Sequence, residues 1–279
     1  MAQLVTIAIP TYNGMPHIKA TIDSALTQTY SDLDIVVVND GSSDGTGEFL
    51  DSITDPRVRV IHNETNLGAE GNWNRTLQEV RGPFFKLLCH DDTLERNAVA
   101  TEVAALEAND NAVMTASLRN IIDEHDRVVI KAHGLKGWRG VVSGAGAVRT
   151  AVRRGGNPFG EPTAVLMRSS VVAEVGNFDA AQPYCIDVDY WVRLLAHGDL
   201  YAISETLCTF RAGSTSWSHE LARKQRVQSH AFLRRVAADP SRSISKTVLW
   251  QGLLVSALRA RARRLIYKVL DFRAARVRL

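Results

Sequence analysis

Short apolar runs alternate with segments of helical spacing along the first hundred residues. Apolar runs at residues 5–9, 33–38, 58–61 and 84–88 predict four β-strands. Helices are predicted at residues 18–26 and 71–80, and Ser43 or Asp44 can cap a short helix that ends at residue 53. The run at 33–38 is almost uninterrupted, which is typical of a parallel strand covered on both faces. This alternation predicts βαβ units, and therefore an α/β fold with a mostly parallel central sheet and flanking helices.

The remainder of the chain has mixed patterns. Helices are predicted at residues 95–106 and 188–196, a β-hairpin at 113–132, and strands at 163–167 and 200–210. Near the C-terminus, one apolar stripe at helical spacing is formed by Leu254, Leu258, Ala262, Leu265, Val269 and Phe272. The sequence therefore predicts a C-terminal helical extension after the sheet.

Polar residues follow each of the first four predicted strands. They are Thr11, Tyr12 and Asn13 after the first, Asn39 and Asp40 after the second, Asn63 and Asn66 after the third, and Asp91 and Asp92 after the fourth. In open α/β sheets ligands bind outside the carboxyl ends of the strands. These groups are therefore expected to lie together at that edge of the sheet, which is called the mouth below. A carboxylate fixed there suits Mg²⁺ or Mn²⁺, which prefer oxygen ligands and keep substrate phosphates in their coordination shell.

Each of these motifs also has a purely structural interpretation. Asp92 can cap the helix that follows it, and residues 39–46 are a turn-rich stretch that can form a simple loop. Residues 66–71 form a glycine-containing entry to a helix, a geometry suited to anions. Asp187 and Asp189 can be an acid pair favoured at a helix N-terminus by the helix dipole. Taken singly, none of these motifs identifies a function.

In combination, the motifs closely resemble those of family 2 glycosyltransferases. The resemblance rests on residues 9–13, 38–46, 66–68, 72–74 and 91–92, followed by 176–179 and 187–194, in this order and spacing. It implies an inverting enzyme with the Rossmann-like A-type glycosyltransferase fold. No Gln-x-x-Arg-Trp motif of the processive synthases is found near residues 223–236, so the resemblance is to the non-processive bacterial type.

The resemblance implies a division of the chain. It implies a catalytic domain over residues 1–215, with a nucleotide-binding half at about 1–110 and an acceptor half at about 111–215. A C-terminal helical region with a basic amphipathic tail is expected over residues 216–279.

The resemblance also implies roles for individual residues. Nucleotide binding falls to Pro10, Thr11, Tyr12, Asn13, Asp40, Asn66, Gly68, Asn74 and Asp91. Asp91 and His219 are the implied ligands of Mn²⁺ or Mg²⁺, and Asp187 is the implied catalytic base. The acceptor or sugar side falls to Asp92, Asp189, Trp191 and Arg193.

Two residues depart from the family pattern. Cys89 stands where the first aspartate of the Asp-x-Asp motif is often found, and Ile186 replaces the acid that often precedes the base. These departures favour one alternative, a non-catalytic nucleotide-binding scaffold of the same fold. A second alternative is a sugar-nucleotide pyrophosphorylase, which calls for a glycine-rich, basic N-terminal loop that residues 9–13 do not supply.

The expected chemistry suits these residue types. An acceptor hydroxyl is a poor nucleophile, so a carboxylate such as Asp187 is expected to take its proton. A divalent ion at Asp91 is expected to stabilise the leaving diphosphate. The predicted function is transfer of a sugar from a nucleoside diphosphate, in the first place a UDP-sugar, to a hydroxyl of a glycan or lipid-linked acceptor. The expected pathway is cell-envelope polysaccharide or glycolipid synthesis.

Charge is distributed unevenly along the 279 residues. The 33 Lys and Arg against 30 Asp and Glu give a net charge of +3, which argues against a protein that wraps nucleic acid. Residues 246–279 carry nine basic side chains and one acid, so the rest of the chain has a charge of −5. A basic amphipathic helix predicts binding to an anionic membrane surface. The alternative is a helix packed on the catalytic domain with solvated arginines.

The N-terminal segment affects the expected location. Residues 1–10 have the pattern of a strand and no Lys or Arg, which is unlike a signal peptide. A cytoplasmic protein, peripheral on the inner face of the cell membrane, is therefore expected.

Overall fold

The computed structural model describes residues 3–135, 137–212 and 224–277, with side chains up to residue 261. The strands are β1 Val5–Thr11, β2 Leu33–Asn39, β3 Val58–His62, β4 Phe84–Leu87, β5 Ala112–Ile122, β6 Val128–His133, β7 Gly140–Val142, β8 Met167–Arg168 and β9 Asp199–Arg211. The α-helices are α1 Ile18–Leu26, α2 Thr46–Asp51, α3 Gly68–Leu77, α4 Ala98–Glu107, α5 Gly144–Arg154, α6 Ser169–Val175, α7 Ile186–Leu194, α8 Gln225–Ala238 and α9 Lys246–Val277.

One sheet connects the strands of the described ranges. Its order is β3, β2, β1, β4, β8, β5, β9, β7, and β6 pairs with β5. β3, β2, β1 and β4 are parallel neighbours, and β9 runs parallel to β5. β8 is antiparallel to both β4 and β5, and thereby joins the two predicted halves. The predicted α/β class with a mostly parallel central sheet is confirmed.

The uninterrupted apolar run of β2 is explained by burial on both faces. Ile35 and Val37 pack into one core with residues of α1 and α4. Val36 and Val38 point to the other face and pack into a second core that includes residues of α5 and α7. Since successive side chains of a strand point to opposite faces, both sets must be apolar when helices cover both faces.

β4 carries a fully buried charge within its apolar sequence. The Nζ of Lys86 lies 2.8 Å from Oε1 of Glu102 on α4, and it also donates to the carbonyl of Val165 at 3.1 Å. Burial raises the pKa of Glu102. The ion pair ties the strand that ends near Asp91 to the helix packed beneath it.

Several predicted boundaries differ from those in the structure. The predicted strand at 163–167 is wrong: Pro162–Ala164 is a 3₁₀ turn, and only Met167–Arg168 pairs in the sheet. Proline has no N–H for a β-ladder, and the Val165 carbonyl accepts from Lys86. The helix predicted at 71–80 lies at Gly68–Leu77, and the helix predicted to end at residue 53 ends at Asp51.

The N-terminal part of the C-terminal helix α9 packs closely on α5. A Cβ atom at Gly252 would lie 1.9 Å from the carbonyl oxygen of Val152, so only glycine permits this approach. Ser256 and Ala260, one and two turns further on, are also buried. Among the described residues, no helix carries an apolar stretch long enough to cross a membrane.

Candidate active site

The loops after β1 and β2 are joined by four hydrogen bonds. Asn13 N–H donates to Oγ of Ser42 at 2.9 Å, and Oδ1 of Asn13 accepts from Ser43 N–H at 2.8 Å. The N–H groups of Gly14 and Met15 donate to Thr46 Oγ1 and Asp44 Oδ2. Tyr12, beside this loop, is 49% exposed. Asn13 therefore holds the loop, whereas Tyr12 is accessible to a ligand.

Asp40 follows β2 and is almost fully buried. Its Oδ1 accepts from Asn63 Nδ2 at 2.7 Å and from Leu67 N–H at 2.9 Å. Its backbone N–H donates to the carbonyl of Thr11 at 2.9 Å. Within the described ranges Oδ2 accepts no hydrogen bond, so one oxygen positions the loops and the other can receive an N–H donor from a ligand.

Asp91 and Asp92 are adjacent in sequence but differ in environment. The side chain of Asp91 is partly exposed at the mouth, and it forms no hydrogen bond with the described residues. Asp92 is fully buried, where it accepts from Thr163 Oγ1 at 2.7 Å and from the N–H of Arg211 at 2.9 Å. Burial raises the pKa of Asp92, and the charge of Asp91 raises it further. Asp91 is therefore the carboxylate that faces the mouth.

Asp187 lies in the first turn of α7 and is partly buried. Its Oδ2 accepts from Asn157 Nδ2 at 2.7 Å, and its Oδ1 accepts from the N–H of Val188 at 2.7 Å. Burial, followed by the charge of Glu161, raises the pKa of Asp187 to about 7. A carboxyl group with this pKa changes its protonation state near neutral pH, as a general base requires.

The other polar residues of α7 hold the helix in place. Asp189 is buried and accepts from Arg193 Nε at 3.0 Å and from Arg235 Nη2 of α8 at 2.7 Å. Arg193 also donates to the carbonyls of Val175 and Asn177. Trp191 is fully buried, and its indole N–H donates to the carbonyl of Gly160 at 3.1 Å. These three side chains, predicted on the acceptor or sugar side, are committed to contacts within the protein.

Comparison with known families decides the assignment. The family model described as Glycosyl transferase family 2 matches residues 6–176, which is more than half of the chain. The chain belongs to glycosyl transferase family 2. The predicted resemblance and the prediction of a glycosyltransferase enzyme are confirmed.

Similar proteins are found in distant bacteria. The chain is 28% identical over 246 residues to the uncharacterized protein MT1568 of Mycobacterium tuberculosis, covering 85% of this chain and 76% of that protein. It is 29% identical over 226 residues to an uncharacterized glycosyltransferase of Haemophilus influenzae, covering 78% and 69%. Neither name specifies a donor or an acceptor.

Solved structures share the fold at low sequence identity. The crystal structure of residues 1–349 of S. aureus TarS has a TM-score of 0.65 at 15% identity, covering 90% of this chain and 70% of that one. The mannosyltransferase PcManGT from Pyrobaculum calidifontis, in complex with GDP-Man and Mn²⁺, has a TM-score of 0.63 at 18% identity, covering 99% and 80%. The A-type glycosyltransferase fold is thereby confirmed for this family 2 member.

The donor set around Asp91 fits a divalent cation that is completed by substrate. No group of three or more His, Cys, Asp or Glu side chains within the described ranges could hold a metal ion by itself. Mg²⁺ and Mn²⁺ do not require one, since they often bind one or two carboxylates plus substrate phosphates and water. The carboxylate of Asp91, which has no hydrogen-bond partner among the described residues, meets that requirement. His219, the other predicted ligand, lies outside the described residues.

Three further residues predicted to bind the nucleotide have structural contacts. Pro10 is a buried residue of β1. Oδ1 of Asn66 accepts from the N–H of Gly68 at 2.9 Å, which shapes the entry to α3. Asn74 uses its whole amide on Phe178, donating to its carbonyl at 3.1 Å and accepting from its N–H at 2.7 Å. Asn74 therefore clamps α3 to the segment before α7, instead of reaching the mouth.

Thr11 and Cys89 lie beneath the mouth. The hydroxyl of Thr11 is buried, and it has no hydrogen-bond partner among the described residues. Burial, followed by the charges of Asp92 and Asp91, raises the pKa of the Cys89 thiol well above its usual value.

Four residues that shape the site have no individual role assigned from the sequence, although Asn72 stands in the motif at residues 72–74. Asn72 donates to the Val38 carbonyl at the end of β2, and Asn157 orients Asp187. Arg211 donates to the backbone carbonyl of Asp91 at 3.0 Å and so supports the loop after β4. Glu161 raises the pKa of Asp187 from a segment that has no recognisable motif. Their roles depend on contacts between elements far apart in the chain.

Proposed function

We propose that this family 2 glycosyltransferase moves a sugar from a UDP-sugar to a hydroxyl of a glycan or lipid-linked acceptor, with inversion. The proposal is carried by the environment of Asp187, a carboxyl group with a raised pKa that Asn157 holds at the start of α7. Such a group can accept a proton near neutral pH, whereas an ordinary helix-capping aspartate stays ionised. One displacement assisted by one base inverts the anomeric centre.

The proposed site is a cleft with two sides, the mouth at Asp91 and the start of α7 at Asp187, and each side has a separate task in this reaction. Asp187 would remove the proton from the acceptor oxygen as that oxygen attacks the sugar. Asp91 would hold Mn²⁺ or Mg²⁺, which supplies charge stabilisation for the leaving diphosphate. Arg211 fixes the backbone of Asp91, and Asn157 fixes the carboxylate of Asp187. The base and the leaving-group site are thus positioned before substrate arrives.

The choice of UDP rests on the loop contacts and on relatives. Oδ2 of Asp40 can accept the ring N–H of uracil, and the exposed Tyr12 ring can stack on the base. TarS structures in complex with UDP and with UDP-GlcNAc share this fold. PcManGT, in complex with GDP-Man, makes GDP the competing nucleotide.

A thermal-shift measurement tests the donor class. With Mn²⁺ present, UDP at about 100 times its Kd is expected to raise the Tm by roughly 5 °C, because a ligand that binds only the folded state stabilises it. Asp40→Asn should reduce the shift, whereas Asp51→Asn, an exposed acid on α2, should preserve it. A larger shift with GDP would contradict the choice of UDP, and no shift with any nucleoside diphosphate would contradict the donor class.

We also propose that α9 attaches the enzyme to an anionic membrane surface, where an acceptor of the cell envelope would be found. Trp250, Leu254 and Leu258 lie one turn apart and are 74%, 61% and 54% exposed. The opposite face of the helix packs on α5 through Gly252 and Ser256. The exposed apolar face continues toward the basic residues 261–278, a combination that favours an anionic interface.

Vesicle flotation tests the membrane proposal. The triple variant Trp250→Ser, Leu254→Ser, Leu258→Ser should reduce recovery with phosphatidylglycerol-containing vesicles by at least about tenfold, since large apolar side chains each contribute on the order of 1 kcal/mol when inserted. The matched control replaces three exposed apolar residues of β6, with Val128→Ser, Val129→Ser and Ile130→Ser. Equal recovery of both variants, or equal binding of the enzyme to vesicles of phosphatidylcholine alone, would contradict the proposal that α9 attaches the enzyme to an anionic membrane.

A further inference from the structure

One segment of the chain connects the two sides of the cleft. At its start, Asn157 Nδ2 donates to Asp187 Oδ2 at 2.7 Å. At its end, Thr163 Oγ1 donates to Asp92 at 2.7 Å and accepts from the N–H of Cys89 at 3.4 Å. The segment therefore runs from the proposed base to the loop that carries the proposed metal ligand. Glu161 lies between these two ends.

The backbone of the segment around Glu161 is held by close contacts. Gly160, just before it, has a φ of +121° and lies so close to Ala164 that a Cβ atom would be 2.9 Å from the Ala164 Cβ. Phe159 is fully buried and stacks on Trp138 with a centroid distance of 5.6 Å. These contacts fix the backbone on which Glu161 stands.

Arg119 of β5 orients the Glu161 carboxylate. The two side chains form an ion pair, with Arg119 only 5% and Glu161 27% exposed. Arg119 also donates to the carbonyl of His133 at 3.3 Å. Since the arginine is buried and the carboxylate is partly exposed, the pair presents an oriented acceptor of hydrogen bonds to solvent.

The donor sugar must span the same two sides that the segment of Glu161 connects, from Asp187 at Asn157 to the loop of Asp91 at Thr163. In the proposed reaction the anomeric carbon stands between the diphosphate, near Asp91, and the acceptor oxygen, near Asp187. Burial is the larger cause of the raised pKa of Asp187 and the charge of Glu161 is the second, which agrees with the place of Glu161 four residues after Asn157, the hydrogen-bond partner of Asp187. A sugar that bridges the two sides therefore passes Glu161.

We propose that Glu161 contacts the transferred sugar, accepting hydrogen bonds from its hydroxyl groups, and that this sugar is an uncharged hexose or N-acetylhexosamine. This inference rests on the proposed function. Carboxylates accept hydrogen bonds from sugar hydroxyls without a change in charge. The carboxylate of a hexuronic acid has no hydrogen to donate to Glu161, whose charge Arg119 already balances, and it would lie near the carboxylate of Asp187, which has no cationic partner among the described residues. The cleft thus selects against acidic sugars.

Binding of three probes in the presence of Mn²⁺ tests the proposal. UDP-glucose should bind the native enzyme at least about tenfold more tightly than UDP-glucuronic acid, measured by calorimetry. In Glu161→Gln that ratio should fall at least about threefold, whereas the affinity for UDP, which has no sugar, should stay the same. Glu161→Asp keeps the charge and should retain most of the ratio, and Glu174→Gln, an exposed acid on α6, should leave it unchanged.

Equal affinity of the native enzyme for the two sugar nucleotides would overturn the proposal, and so would an unchanged ratio in Glu161→Gln. If UDP itself does not bind, the UDP assignment has failed, and the ratio is then measured with GDP-mannose and GDP-mannuronic acid under the same criteria. If Glu161→Gln unfolds because Arg119 loses its partner, the double variant with Arg119→Gln removes both charges and is measured instead.

Discussion

Asp187→Asn is expected to slow sugar transfer by about 10² to 10⁴, the range that a positioned general base contributes. Asparagine has nearly the same shape and can still accept a hydrogen bond from Asn157, but it cannot take a proton. Affinity for UDP with Mn²⁺ should therefore stay the same, because the nucleotide is expected to bind at the loops after β1 and β2. Comparison of turnover with nucleotide affinity checks this prediction.

The pH dependence of transfer should report the same group. Because burial and Glu161 raise the pKa of Asp187 to about 7, the carboxyl group is protonated and inactive as a base below that pH. The rate should rise with pH through about 7 and then level off. In Asp187→Asn, the residual rate should lack this rise. A rate that is independent of pH between about 5 and 9 would contradict the assignment.

Asp187→Asn should also stabilise the folded protein at high pH. The folded pKa is raised above the unfolded value, so proton binding favours the folded state at low pH, and that contribution is lost as pH rises from about 4 to about 7. Removing the ionisable group should raise the free energy of unfolding at pH 8 by on the order of 2 kcal/mol. Urea denaturation at pH 8 measures this free energy of unfolding. Asp189→Asn, which breaks contacts with Arg193 and Arg235, should instead lower stability.

Asp91→Asn is expected to reduce transfer by about 10³ or more, since metal stabilisation of a leaving phosphate is worth several kcal/mol. The side chain forms no hydrogen bond with the described residues, so its replacement should barely change the Tm. Calorimetry should show that Mn²⁺ no longer strengthens UDP binding.

The adjacent residue supplies the control for that experiment. Asp92 is buried against Thr163 and Arg211, so Asp92→Asn should lower the Tm and leave the effect of Mn²⁺ on UDP binding intact. If Asp91→Asn retains the full effect of Mn²⁺, Asp91 is not the metal ligand.

The sequence predicted the sheet well because its signal is local. A strand covered on both faces, such as β2, must be apolar along its whole length, and this can be recognised without knowledge of its neighbours. The failure at residues 163–167 has the opposite origin. There, the backbone of Val165 bonds to the side chain of Lys86, and an apolar pattern does not reveal a partner so distant in sequence.

The site was predictable as a set of motifs, but not residue by residue. Asp91 and Asp92 follow the same strand, and only the folded protein distinguishes the exposed carboxylate from the buried one. Asn74 stands in a motif of the family, yet its amide is fully used by Phe178. Glu161 belongs to none of the recognised motifs, and its importance follows from Arg119, a residue of another strand.

The buried ion pair beneath β4 has a consequence for how this sequence can change over evolutionary time. Substitution of Lys86 alone leaves the Glu102 carboxylate uncompensated in the core, which costs about 3 to 5 kcal/mol, whereas an apolar pair of similar volume can be neutral. We therefore expect the two positions to change together, because either single substitution produces an intermediate that folds poorly. Homologues should carry either both charges or neither, even though neither residue touches a substrate.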